Sequence, residues 1–97
     1  MKISNWGNEY EVRIKEAEYY NGNLAIMLEC YDGEYGFWEP YGNLTVNFED
    51  PLPDGYAYVD TNNMPNAEEF INKYNLGEHT GECKASGYCT YPLYKFY

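Results

Sequence analysis

Cys30, His79, Cys83 and Cys89 are the residues whose types suit soft-metal or nucleophilic chemistry in this chain. Three thiols and one imidazole match a Cys3His zinc set in kind. The spacing argues against it. His79-x3-Cys83-x5-Cys89 lacks the C-x2-C knuckle, and the fourth ligand would come from a distant strand. Cysteines of this kind pack as small apolar side chains. A Cys83–Cys89 disulfide is sterically possible, but three cysteines make a poor disulfide framework and a reducing compartment is expected. A nucleophile would have to pair with His79, the sole histidine, from Cys83 or Ser86. No G-x-S-x-G elbow is present, and the histidine sits in a polar Glu-His-Thr-Gly stretch. The expectation is a non-enzymatic protein with no metal and no cofactor.

Carboxylates are abundant, with 16 acids against 6 bases. Close pairs then arise by chance, and a chain of 97 residues has little room for the cleft that glycosidase carboxylates require. Asp60-Thr61-Asn62-Asn63 holds calcium-type oxygens but lacks the spaced acidic loop and its terminal Glu. A strand end followed by a helix cap explains those residues as well. Gly33-x-x-Gly36 has neither the lysine nor the following helix of a phosphate loop. Stacking of RNA on tyrosines would need a local reversal of the −10 charge, and Lys84 and Lys95 are too few.

The remaining chemistry is that of a surface. Between Cys30 and Leu44 the sequence CYDGEYGFWEPYGNL interleaves acids and rings with no basic residue. Acids spaced along a surface imitate a row of phosphates, and rings between them supply contact area at interface centres. Glu29, Asp32, Glu34, Glu39, Glu49 and Asp50 are the candidate acids, and Tyr35, Phe37, Trp38 and Tyr41 the candidate anchors. The plain alternative is a solvated acidic face over core tyrosines.

The length fits a single domain over residues 1–97 with a small core. Aromatic residues make up 20 % of the chain, mostly tyrosine, which argues against disorder. The acids lean to the N-terminal half: residues 1–50 hold 10 against 3 bases, and residues 51–97 hold 6 against 3. This balance disfavours direct binding to nucleic acid or to an anionic membrane and favours a basic partner. No basic start with an apolar run is present, and Leu24–Leu28 is far short of the ~20 residues that span a bilayer. A cytoplasmic location is expected.

Alternation at Tyr10, Val12 and Ile14 predicts a strand, Asn21-Gly22 a type I′ hairpin turn, and Leu24 to Cys30 the returning strand. Asp32-Gly33 is a second turn signal, and residues 35–39 read as loop. Leu44, Val46 and Phe48 predict a third strand, and Tyr56 to Asp60 a fourth. Asn63 is the expected N-cap of a helix over about residues 64–76, with Ala67, Phe70, Ile71 and Tyr74 as its apolar stripe and Gly77 as its stop. Glu78–Lys84 and Tyr88–Phe96 read as further strands, with Pro92 demoting the last to an edge or a bulge. The order predicts an α+β fold: an antiparallel sheet of four to six strands with one helix packed on one face.

The segments GNLTVNFEDPLPDGYAYVDTNNMPNAEEFINKYNLG (42–77), SGYCTYPLYKF (86–96) and NGNLAIMLEC (21–30) resemble a family of small uncharacterised proteins found on integrative conjugative elements and phages of gut bacteria. The segment 35–39, YGFWE, departs from that pattern. The resemblance implies a setting in which small acidic proteins protect the element from host defences. The expected function is inhibition of a defence nuclease, as an anti-CRISPR or anti-restriction protein, by occupying its basic nucleic-acid-binding surface. The alternative is an accessory binding module for the element's own transfer or replication machinery. Either a monomer or a homodimer paired through an exposed last strand fits the sequence.

Overall fold

A computed structural model of the chain describes residues 1–5 and 7–97. Its elements run β1 (Lys2–Asn5), β2 (Asn8–Glu18), β3 (Leu24–Asp32), β4 (Phe37–Asn43), β5 (Thr45–Val46), β6 (Tyr56–Val59), α1 (Ala67–Lys73), β7 (Gly77–Ser86) and β8 (Cys89–Phe96). They form two antiparallel four-stranded sheets, ordered β1-β2-β3-β4 and β5-β6-β8-β7, where the sequence predicts one sheet. No helix among the described residues is long and apolar enough to cross a membrane.

The first sheet follows chain order because tight turns join its strands. The β2–β3 hairpin forms as expected, with a different turn. Tyr19 and Asn23 close a three-residue loop through the Tyr19 amide and the Asn23 carbonyl, and only Gly22 in that loop takes a positive φ, of 85°. That is the three-residue hairpin with its left-handed position at glycine, rather than a type I′ turn. Asn23 is buried beneath this turn. Its amide donates to the Asn47 side chain and the Asp50 carbonyl, and its oxygen accepts from the Leu52 amide. These bonds clamp the proline-rich 47–52 segment to the hairpin.

Between β4 and β5 the chain passes from one sheet to the other at Leu44. The Leu44 amide donates to Ile26 of β3, and the Leu44 carbonyl accepts from Asp60, just past β6. The predicted third strand is therefore only two residues long. The core joins both sheets and the helix: Val12, Ile26, Leu28, Val59, Ile71 and Tyr94 all contribute to one buried cluster.

The helix is shorter than the predicted 64–76. Asn63 does not cap it, because the Asn63 amide and side chain both bind the buried Asp60 carboxylate and hold residues 60–63 in a turn. Asn66 takes the N-cap position without a side-chain cap bond. Ala67, Phe70 and Ile71 are buried, as the predicted stripe requires. The C-terminus is a Schellman motif, in which Asn75 takes φ +52° while Leu76 and Asn75 donate to Ile71 and Asn72. Asn75 therefore does the stopping that the sequence assigns to Gly77. Tyr94 of β8 donates to Glu68, and Lys2 of β1 donates to Tyr74, so the helix is tied to strands of both sheets.

Strand β8 lies between β6 and β7, so Pro92 is not on an edge. It faces Cys83, where the β7 register shifts between His79 and Cys83, and this irregularity accommodates the missing amide. The expected homodimer edge at the last strand is thus internal, with Tyr94 and Phe96 buried. Gly77 is needed for a close approach. A Cβ there would lie 2.7 Å from the Lys95 carbonyl oxygen, a main-chain atom that cannot swing away. Gly77→Ala is expected to cost about 1–3 kcal/mol, read as a lower urea midpoint with an unchanged slope.

Candidate functional site

Segment 37–43 is strand, not the loop that its glycines and proline suggest. It pairs with β3 at Asp32↔Phe37, Tyr31↔Trp38, Cys30↔Glu39 and Glu29↔Pro40, with the register shifting between Leu28 and Glu29. Only residues 33–36 turn. Asp32 builds that turn, since its carboxylate accepts from the Glu34 and Tyr35 amides and its carbonyl from Gly36, which takes φ +73°. The Asp32 charge is thereby committed to holding the hairpin tip.

Strand alternation sorts the acid-aromatic residues onto two faces. On one face the rings of Tyr31 and Trp38 lie 5.3 Å apart. The Arg13 guanidinium sits 4.5 Å over Trp38, and its Nε donates to Glu29 at 2.8 Å. Glu29 is therefore neutralised in place. The other face carries Phe37 and Glu39, with the Tyr35 ring 6.2 Å from Phe37. Tyr35, Phe37 and Tyr31 are 71 %, 48 % and 46 % exposed, and Trp38 is half-buried beneath Arg13. Glu34 and Glu39 are exposed, and among the described residues no basic side chain lies within ion-pair distance of Asp32, Glu34 or Glu39.

Three predicted residues fall outside this tip. Tyr41 lies further down β4, 5.0 Å from the Tyr10 ring and against the core. Glu49 and Asp50 sit at the opposite end of β3, beside the Asn21–Asn23 turn, where Asp50 pairs with Lys84 at 3.5 Å. Eight intervening steps of β3 separate them from Asp32 by about 26 Å. The ten candidates thus form one cluster and two outliers. Tyr31 and Arg13 belong to the cluster but escape sequence reasoning about residues 30–44 alone. The pairing set by the β2–β3 hairpin, Arg13↔Glu29, is the signal that finds Arg13.

The metal and nucleophile candidates are dispersed. Cys30 lies in the first sheet, and Cys83 and Cys89 lie in the second. Among the described residues no group of three or more His, Cys, Asp or Glu is arranged to hold a metal ion. Cys83 faces Pro92 and Cys89 faces Ser86, three registers or about 10 Å apart, too far for a disulfide. All three thiols are free. Burial and then the Glu39 charge push the Cys30 thiol upward, away from thiolate. His79 accepts at Nδ1 from the Gly81 amide, stacks 5.2 Å from Tyr94, and places Nε2 4.0 Å from Glu68.

A family model described as a domain of unknown function (DUF4313) matches residues 13–97, which leaves out β1 and the start of β2. No curated protein and no solved structure matches the chain.

The bond from Tyr94 to Glu68 has a pH signature. Burial first, then the Glu68 hydrogen bond and charge, push the Tyr94 phenol far above its ordinary value. The folded chain thus holds this proton more tightly than the unfolded chain does. Its contribution to stability is complete below pH ~10, the unfolded value, and is lost as pH rises beyond it. Urea unfolding at pH ~8 and pH ~11 is expected to show a smaller alkaline loss for Tyr94→Phe than for the parent chain.

Proposed function

The chain belongs to the DUF4313 family, a domain of unknown function, and we propose that it is a non-enzymatic binding module whose β3–β4 tip docks on the basic, nucleic-acid-binding surface of another protein. One observation carries this reading. Tyr31, Tyr35 and Phe37 stand exposed around Asp32, Glu34 and Glu39, which lack basic partners among the described residues. Ring edges left in water are costly to maintain in a small domain and are favoured where a partner covers them. The carboxylates would steer approach to a positive groove and take the place of phosphates there. A net charge of −10 opposes the same tip touching nucleic acid itself.

The resemblance to proteins of integrative conjugative elements and phages supplies the biological end of the proposal. The partner is a host defence nuclease, a CRISPR effector or a restriction enzyme, met in the cytoplasm, and the bound chain blocks its groove. Glu34 and Glu39 are the acids open to the partner, because Asp32 serves the turn and Glu29 serves Arg13.

Titration of the purified chain against purified defence nucleases tests this. Affinity is expected to fall steeply with salt, and the double reversal Glu34→Lys, Glu39→Lys to weaken binding by about tenfold or more. Binding that ignores salt, or no binding to any such nuclease, overturns the inhibitor reading. Binding instead to the element's own transfer or replication proteins would replace it with an accessory role.

A further inference from the structure

The proposed docking tip is also the free edge of a sheet, and we infer that the partner joins it as an added strand: Phe37–Glu39 of β4 pairs with an extended basic segment of the partner. The inference rests on the tip being the binding surface and states how the partner is held there. Strand β4 ends the order β1-β2-β3-β4. Phe37, Trp38 and Glu39 pair with β3 on one side, and among the described residues no backbone bond reaches them from the other. Amides and carbonyls along a strand alternate in direction, so part of this row faces outward without a partner.

The other edges are closed to pairing in ways that this one is not. Strand β1 is four residues long and carries Lys2, and β5 is two residues long. The long edge of β7 is broken by the register shift between His79 and Cys83 and carries Lys84. Lysines, breaks and short length are the usual defences of an edge. Strand β4 has no lysine or arginine, and its proline and irregularity come only after Glu39.

Charge selects the occupant. Pairing of two β4 edges from two copies would set Glu39 and the Asp32–Glu34 turn of each against the same acids of the other, with no base to offset them. A basic segment meets no such penalty. Alternation then specifies its pattern. One face of the added strand lies beside Phe37 and Glu39 and takes a lysine or arginine. The other lies beside Trp38, whose ring is already covered by Arg13, and takes an apolar residue.

The probe is an end-capped peptide of alternating lysine and valine, compared with its two forms N-methylated at alternate residues. Methylation keeps charge and side chains and removes the donors on one side of the strand. The parent peptide is expected to bind and to slow amide exchange at Phe37–Glu39, and one methylated form to bind at least about tenfold more weakly. Equal binding by all three overturns strand addition and leaves the acidic-aromatic tip standing. Failure of the parent to bind, or protection elsewhere in the chain, also overturns strand addition, and the nuclease titration then decides the tip by itself.

Discussion

Leu44 is where the two sheets become one molecule. Its side chain is fully buried, its amide is spent on β3, and its carbonyl is spent on the residue that follows β6. Thr45 reinforces the crossing, since its hydroxyl accepts from the Ile26 amide and bonds to the Tyr19 hydroxyl. A buried main-chain group left without a partner costs about 1–3 kcal/mol, so separating the sheets would expose several such costs together. The root of β4 is fixed by this crossing. The hairpin that β4 forms with β3 therefore projects from an anchored base, which is what a surface needs if it is to meet a partner in one geometry.

The tyrosine content follows from the same shortage of interior. A small core cannot enclose its whole lining, and a ring with a polar tip can stop at the boundary. Tyr94 is buried and spends its hydroxyl on Glu68, Tyr74 accepts from the Lys2 amide, and Tyr19 reaches Thr45. In each case the ring extends the core while the oxygen ties two elements that are distant in sequence. Tyr31 and Tyr35 make no such tie, and that difference separates the tip from the rest of the aromatic inventory.

Strand content and the helix stripe were legible because both depend on period: β2, β3, β6 and the buried Ala67, Phe70 and Ile71 fall where alternation and helical spacing put them. The errors arose where one side chain competes with a general rule. Asn63 has the composition of a cap, but Asp60 claims it. Gly77 looks like a helix stop, but Asn75 bends first, and the glycine is needed eighteen residues away in sequence, against Lys95. Segment 37–43 reads as loop from its glycine and proline, yet an edge strand tolerates both. Glu49 and Asp50 joined the candidate surface because proximity in sequence was taken for proximity in space, and the length of β3 separates them from it.

The arrangement of the second sheet bears on how the chain acquires its structure as it is made. The first sheet is a meander whose neighbours are consecutive, so each pairing closes a short loop. The second has β8 at its interior, where Tyr56 meets Lys95 and Gly77 meets Phe96. A nascent chain emerging from the ribosome can complete β1 to β4 early. Strands β6 and β7 then wait side by side with a gap between them until residues 89–96 are released. Consolidation is deferred to the last moments of synthesis, because long-range pairings form only after the intervening chain is available.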